Sequence, residues 1–336
     1  MDKRAIGRTG LTSSALGLGC MSLTQAYGPA DERESADVLR AAADLGVTLF
    51  DTADVYGPFT GERLVGAALA DRRDEIVLVT KFGGAELADD GTVLGGACGR
   101  PDYVRHSVDR SLRHLGTDRI DLFLQHRVDP RVPVEETFGA LGELVAAGKI
   151  RHVGISEARP GTIRRAHAVT PLTAVESEYS LFSRDVEDDG VLTTTRELGI
   201  GFLAYAPLGR GLLAGSVRSV EQVDGTLRAG YPRFQSQNLA NNVALRDGLT
   251  PIAQPLGLTV GQLALAWLLT TAPDVVAVPG TRRIAHLTEN VAAAETTLDA
   301  ATVAAIEAAV PVSGILGDRR SPETSRAEPA TPRTGR

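Results

Sequence analysis

The chain is predicted to fold as an α/β protein: one (β/α)8 barrel of the TIM type, with a short N-terminal hairpin and a disordered C-terminal tail. Three observations carry that expectation. Short apolar runs alternate with amphipathic segments in eight strand-then-helix units, the pattern of a parallel sheet covered by helices. No long crossover interrupts the series, which favours closure into a barrel over an open doubly wound sheet. Three of the apolar runs end on ionisable residues, Asp51, Lys81 and His126, and the carboxyl ends of barrel strands are where chemistry is placed. Neither GxGxxG nor GxxxxGK[ST] opens any helix, which weakens the dinucleotide-fold and P-loop options.

The elements follow in order. Residues 1–14 read as a hairpin with Gly7-Arg8-Thr9-Gly10 as its turn. A glycine-punctuated strand at 16–20 precedes a helix at 34–45, in which Val38, Leu39, Ala42 and Leu45 share a face and Gly46 ends the helix. The run 47–50 is the second strand, and Thr60 is placed to cap a helix striped by Leu64, Val65, Ala68 and Leu69. Strand 76–80 leads into a Gly- and Asp-rich loop at 83–100, long enough to be either disordered or the wall of a site. Helix 102–115, strand 120–125, helix 134–145, strand 151–156, helix 162–169, strand 172–177, helix 191–198 and strand 201–205 continue the alternation. After a Gly- and Arg-rich break at 207–237 come helices at 241–256 and 259–269, a last strand at 275–278 and a helix at 284–294. The barrel is expected over 1–316 and the tail over 317–336, where Pro322, Pro329, Pro332 and several arginines leave almost nothing apolar.

Composition excludes several function classes. An apolar content of 43% supports a full core, while 4% aromatics leaves Ala, Leu and Val to fill it. A net charge of −7 argues against general affinity for nucleic acid or anionic membrane, without excluding a local phosphate pocket. No run reaches the roughly 18 apolar residues of a membrane helix, and the N-terminus leads into no signal segment. With only Cys20 and Cys98 and no CxxC, neither a disulfide framework nor a zinc site is expected, and a cytoplasmic location is. A homo-oligomer stays open.

Asp51, Tyr56, Lys81 and His126 lie at, or just beyond, the ends of the second, third and fourth strands, neighbours on one rim of a barrel. Singly, each has a plainer reading: a turn aspartate, a packed loop tyrosine, a solvated lysine, a histidine satisfying backbone. Asp54 and His152 read as a loop-capping carboxylate and a strand histidine. Together the four sit in a segment, Phe50-Asp51-Thr52-Ala53-Asp54-Val55-Tyr56-Gly57, that with Lys81 and His126 resembles the aldo-keto reductase family. Gly154-Ile155-Ser156-Glu157, Glu178-Tyr179-Ser180, Ala204 through Gly211, and Pro279-Gly280-Thr281-Arg282-Arg283 followed by Glu289-Asn290 extend the resemblance, in order, over residues 5–312.

The resemblance implies reduction of an aldehyde or ketone by a nicotinamide dinucleotide, NADPH by preference with NADH admitted. It implies that Tyr56 is the general acid, that Lys81 supplies the charge favouring its anion, that Asp51 holds Lys81, and that His126 orients the substrate oxygen. Met21, Tyr56, Phe82, His126 and Arg127 would shape the substrate pocket. Around the cofactor it implies Cys20, Met21 and Asp51, with Ser156, Glu157 and Glu176 near the nicotinamide amide and Tyr205 stacked on its ring. Ala206, Pro207, Leu208, Gly209, Arg210 and Gly211 would bring backbone N–H groups to the pyrophosphate, with Arg233 closing over it. Gly280, Thr281, Arg282, Arg283 and His286 would meet the 2′-phosphate, and Glu289 and Asn290 the adenine. Two positions depart from the family pattern: Glu176, where Gln or Asn is usual, and His286, often Arg. They motivate a second expectation, a nucleotide-binding regulatory or sensor subunit of the same fold with little turnover. A third, an isomerase or aldolase using Lys81 as a Schiff base, leaves the 280–290 motif without a role.

Overall fold

Residues 1–320 are described by the structure, a computed structural model. The chain opens with an antiparallel hairpin, β1 (Lys3–Ala5) and β2 (Thr12–Ser14), with Lys3 opposite Ser14 and Ala5 opposite Thr12. The barrel strands are β3 (Leu18–Gly19), β4 (Leu49–Asp51), β5 (Val77–Phe82) and, after a small antiparallel hairpin of β6 (Glu86–Leu87) and β7 (Val93–Gly95), β8 (Ile120–Gln125), β9 (Ile150–Ser156), β10 (Ala174–Glu178), β11 (Gly201–Tyr205) and β12 (Val275–Val278). All eight pair in parallel in chain order. Backbone bonds between the first and last segments close the circle: Gly17 N–H donates to Ala277 O at 2.8 Å and Gly19 N–H to Pro279 O at 3.0 Å.

Side-chain alternation along each strand sorts residues into two layers. Leu49, Val77, Val79, Leu122, Leu124, Ala174, Leu203, Val276 and Val278 fill the barrel, with Ile6 of the hairpin packed among them. Phe50, Leu78, Phe82, Phe123, Val175 and Phe202 point outward into the larger core shared with the helices. The hairpin is seated closely. Arg8 N–H donates to Gly199 O at 2.9 Å. Gly7, at φ +65°, lies where an added Cβ would fall 2.8 Å from that same carbonyl.

The outer layer is α1 (Glu32–Asp44), α2 (Thr60–Ala68), α3 (Pro101–Leu115), α4 (Val134–Ala146), α5 (Pro160–Val169), the short α6 (Asp185–Asp188), α7 (Val191–Leu198), α8 (Ser236–Asp247), α9 (Thr250–Ala253), α10 (Val260–Thr271), α11 (Ile284–Ala293) and α12 (Ala300–Ala309). Several differ from the sequence reading. Asp31 caps α1 by accepting from Glu34 N–H at 2.9 Å, so that helix starts two residues early. Thr60 is not a cap; the left-handed Phe59 (φ 66°) precedes it. The single helix expected over 241–256 is two, interrupted around Gly248 and Pro251, where proline suits a first turn but not a helix interior. The loop at 83–100 is ordered, carrying the β6–β7 hairpin.

The expected disorder from Gly317 is also corrected. Residues 317–320 pack against the barrel, with Arg319 Nε on Asp185 Oδ2 at 2.9 Å. The remainder of the tail, 321–336, lies outside the described residues. Among the described residues no single helix is long and apolar enough to cross a membrane.

Candidate active site

The inward phase of five strands ends on a polar residue. Leu49 is followed two residues on by Asp51, Val79 by Lys81, Leu124 by His126, Ala174 by Glu176 and Leu203 by Tyr205. The barrel therefore converges these five side chains from different strands. Lys81 Nζ bonds the Asp51 carboxylate and donates to Thr52 O at 3.1 Å. The same nitrogen lies 3.3 Å from Glu176 Oε2. Tyr56 joins from the loop between β4 and α2, which is pinned by Asp54 N–H on Lys81 O (3.1 Å) and Phe59 N–H on Asp54 O (2.8 Å). Its ring meets His126 edge-on, centroids 5.9 Å apart at 83°. Lys81 Nζ is 5.4 Å from the Tyr56 ring centre. Phenol, ammonium, carboxylate and imidazole thus share one patch.

Burial governs the charges there. It raises the Tyr56 phenol above its ordinary range, and nearby Lys81 only partly offsets that, so the hydroxyl keeps its proton. Burial alone would lower the Lys81 ammonium, but the carboxylates of Asp51 and Glu176 outweigh it and the group stays charged. Glu176, desolvated and beside Asp51, is pushed up to about 8. His126 is held well below its ordinary range by burial and by the positive charges of Arg127 and Lys81, so the imidazole is neutral. Gly84 lets the 83–100 loop close on that ring; an added Cβ would fall 2.7 Å from His126 Nδ1.

These residues floor a cavity of about 1240 Å³, larger than the roughly 300–1,000 Å³ of ordinary small-molecule sites and suited to an extended ligand. Met21, Asp51, Tyr56, His126, Arg127, Ser156, Glu176 and Tyr205 line it, with Gly84, Ala85, Gly96 and Ala97, on either side of the β6–β7 hairpin, as a wall. Also on its surface are Ala206, Pro207, Leu208, Arg210 and Gly211, with Gly280, Thr281, Arg282 and Arg283 from the segment before α11 and His286, Glu289 and Asn290 from the helix itself. Lys81 stands behind this surface, reaching the site through Asp51 and Glu176.

Five expected residues lie elsewhere. Cys20, Phe82 and Glu157 are one step out of phase with the inward positions. Cys20 is buried in the outer core, and Phe82 stacks on Phe123 at 4.9 Å. Glu157, strained at φ 56°, accepts from the Tyr205 hydroxyl at 2.8 Å and pairs with Arg319 at 3.0 Å and with Arg320. It steadies the Tyr205 ring from outside. Arg233 is buried on Ser183 Oγ (2.7 Å) and Gly317 O (3.3 Å). Gly209 lies inside its turn, and the amides of Gly209 and Gly211 donate to Ala206 O (2.9 Å) and Leu208 O (3.1 Å), so both are engaged within it.

Other lining residues were not singled out from the sequence: Ser22, Tyr27 and Gln262, and, within the 207–237 segment expected to shape the pocket, Arg228 and Tyr231. The Arg228 guanidinium covers the Tyr27 ring at 4.5 Å and that of Arg210 covers Tyr231 at 4.5 Å. Only folding brings these pairs together, and no spacing announces them. Arg282, though at the cavity, donates to Pro29 O at 2.5 Å and fastens one loop to another.

Comparison with known proteins agrees with this geometry. Residues 15–311 match the model of the aldo/keto reductase family. A probable aldo-keto reductase from Glycine max is 43% identical over 318 residues, covering 94% of this chain and 90% of its own. Two solved structures are also similar: an aldo-keto reductase from Bacillus halodurans in its holo form (TM-score 0.76, 31% identity, 93% of this chain and 97% of that one) and a glycerol dehydrogenase from Gluconobacter oxydans (0.81, 29%, 93% and 96%). The chain belongs to the aldo/keto reductase family, and with it to the NAD(P)H-dependent oxidoreductases that reduce carbonyl groups.

Proposed function

We propose that this protein reduces an aldehyde or ketone to the alcohol with NADPH, and that Tyr56 protonates the carbonyl oxygen. The convergence of Tyr56, Lys81, Asp51 and His126 on one buried patch at the cavity floor carries the reading. The cofactor, when bound, supplies the hydride.

The chain's own residues do the rest. Tyr56 holds a proton that burial keeps in place until negative charge grows on an oxygen beside it. Lys81 then stabilises the phenolate left behind, with its position fixed by Asp51 and Thr52 O. His126, neutral, offers one ring N–H to the same oxygen and orients it.

The cavity has groups suited to a nicotinamide dinucleotide. Ser22 Oγ is buried without a hydrogen-bond partner, and Glu176 Oε2 has only a long contact to Lys81 Nζ, at 3.3 Å. Tyr205 presents a ring anchored by Glu157, and Arg283 and His286 stand at the first turn of α11, a favourable place for a phosphate. Arg283 and His286, rather than the engaged Arg282, would favour the 2′-phosphorylated cofactor.

The test is the fall in NADPH absorbance with a panel of aldehydes and ketones, in the native chain and in Tyr56→Phe. Turnover that survives undiminished in the variant overturns the role of Tyr56. Tight NADPH binding with no Tyr56-dependent turnover would instead favour a sensor subunit, the reading that Glu176 and His286 motivate.

A further inference from the structure

We propose that Glu176 links cofactor binding to a proton: it stays protonated beside the uncharged ring of a reduced nicotinamide and releases its proton to solvent when the cationic ring of the oxidised form binds. This rests on the preceding reading, in which the nicotinamide lies over the floor of the cavity.

The geometry poses a problem of charge. Glu176 sits on β10 between Ser156 of β9 and Leu203 of β11, faces inward, and is 2% exposed. Glu176 lines the cavity, and its Oε2 is buried 3.3 Å from Lys81 Nζ. The groups around it are Asp51 from β4, Lys81 from β5, Tyr56 from the loop after β4, His126 and Arg127 after β8, Ser156 from β9 and Tyr205 from β11. Tyr56 and Tyr205 keep their protons, and His126 is neutral. One ammonium therefore faces two carboxylates, and Asp51 already holds it. The Arg127 guanidinium is turned to His126 O (2.6 Å) and Ser156 Oγ (3.3 Å), so it only moderates the excess. Arg127 balances the formal charge from farther off, but with both carboxylates ionised the negative charge close to Lys81 exceeds that of its single ammonium in a water-poor place, which is costly.

Two things relieve that excess. One is a proton on Glu176, and its elevation to about 8 agrees with this. The other is an added positive charge, which an oxidised nicotinamide ring carries and a reduced one does not. Protonated, Glu176 can also donate to a carboxamide oxygen, a bond a carboxylate cannot make. Low pH then favours the reduced cofactor and high pH the oxidised one, by reciprocal linkage.

Titration calorimetry on the full chain near neutral pH, in two buffers of different ionisation enthalpy, counts the protons exchanged. NADP+ should release a large fraction of one proton more than NADPH does; the 2′-phosphate, common to both, cancels in that difference. The Kd for NADP+ should tighten about tenfold between pH 6 and 8, with a much smaller change for NADPH. Glu176→Gln should abolish the difference. Equal proton counts for the two cofactors in the native chain, or a difference that persists in Glu176→Gln, overturns the inference while leaving the cofactor reading intact. Binding of neither cofactor overturns both.

Discussion

Two regions of the cavity are built by opposite means. The floor, with Asp51, Lys81, Glu176 and Tyr205, belongs to barrel strands, and its side chains point where the hydrogen-bonded ladder sends them. The basic region, with Arg228, Arg282, Arg283 and His286, comes from loops and the first turn of α11. Its members are exposed or half-buried and depend on contacts such as Leu227 N–H on Ala26 O (3.3 Å). A strand-borne charge in a dry floor acts at full strength and is costly to leave unpaired. A loop-borne charge in water is screened and worth little singly. On the proposed reading, chemistry belongs to the floor and recognition of the 2′-phosphate to the loops.

The sharpest way to break this contrast is Tyr56→Phe, which should lower kcat/KM for carbonyl reduction by about 10²–10⁴-fold. NADPH affinity, measured by fluorescence titration, should stay within about twofold, since the loops are untouched. A comparable loss of affinity would show that the two regions are not separable.

Lys81→Met comes next, through stability. Removing the ammonium leaves the Asp51 carboxylate without its partner in a buried floor, and urea unfolding should show a loss of about 3–5 kcal/mol. Adding Glu176→Gln should recover little near neutral pH, where Glu176 is already protonated, and a large recovery would mean that Glu176 is ionised beside Lys81.

His126 tests the floor by pH. Its folded pKa lies well below that of the unfolded chain, about 6.5. Below that value the unfolded state binds the extra proton, so the contribution is full above pH ~6.5 and is lost as pH falls. His126→Gln should flatten the acid side of the stability profile by up to about 1.4 kcal/mol per pH unit. An unchanged slope between pH 7.5 and 5.5 would contradict a buried neutral imidazole.

The smallest effect is expected in the loops. Arg283→Ala should weaken NADPH binding roughly threefold to tenfold at low salt, less at about 0.5 M NaCl, and leave NADH binding unchanged. A salt-independent loss of both cofactors would place Arg283 in the scaffold instead.

Much of this was legible in the residues. The eight strand–helix units, the convergence at the strand ends and the family motifs all follow from local pattern. One further signal was present: counting by twos from the apolar interior positions reaches Asp51, Lys81, His126, Glu176 and Tyr205, and passes over Cys20, Phe82 and Glu157. Those three corrections are thus errors of strand phase. Arg319 could not have been read, because a polar tail looks unstructured until Glu157 and Asp185, far away in sequence, offer it partners.

The sequence by itself determined the barrel and the identity of the groups on its rim, because hydrophobic periodicity and strand alternation are properties of neighbouring residues. Tertiary structure alone decided how those groups are charged and which loops meet. Burial of Glu176 beside Lys81, and the stacking of Arg228 on Tyr27, arise from segments far apart in sequence. Desolvation and Coulomb energy depend on distance in space, and that distance exists only once the barrel has closed.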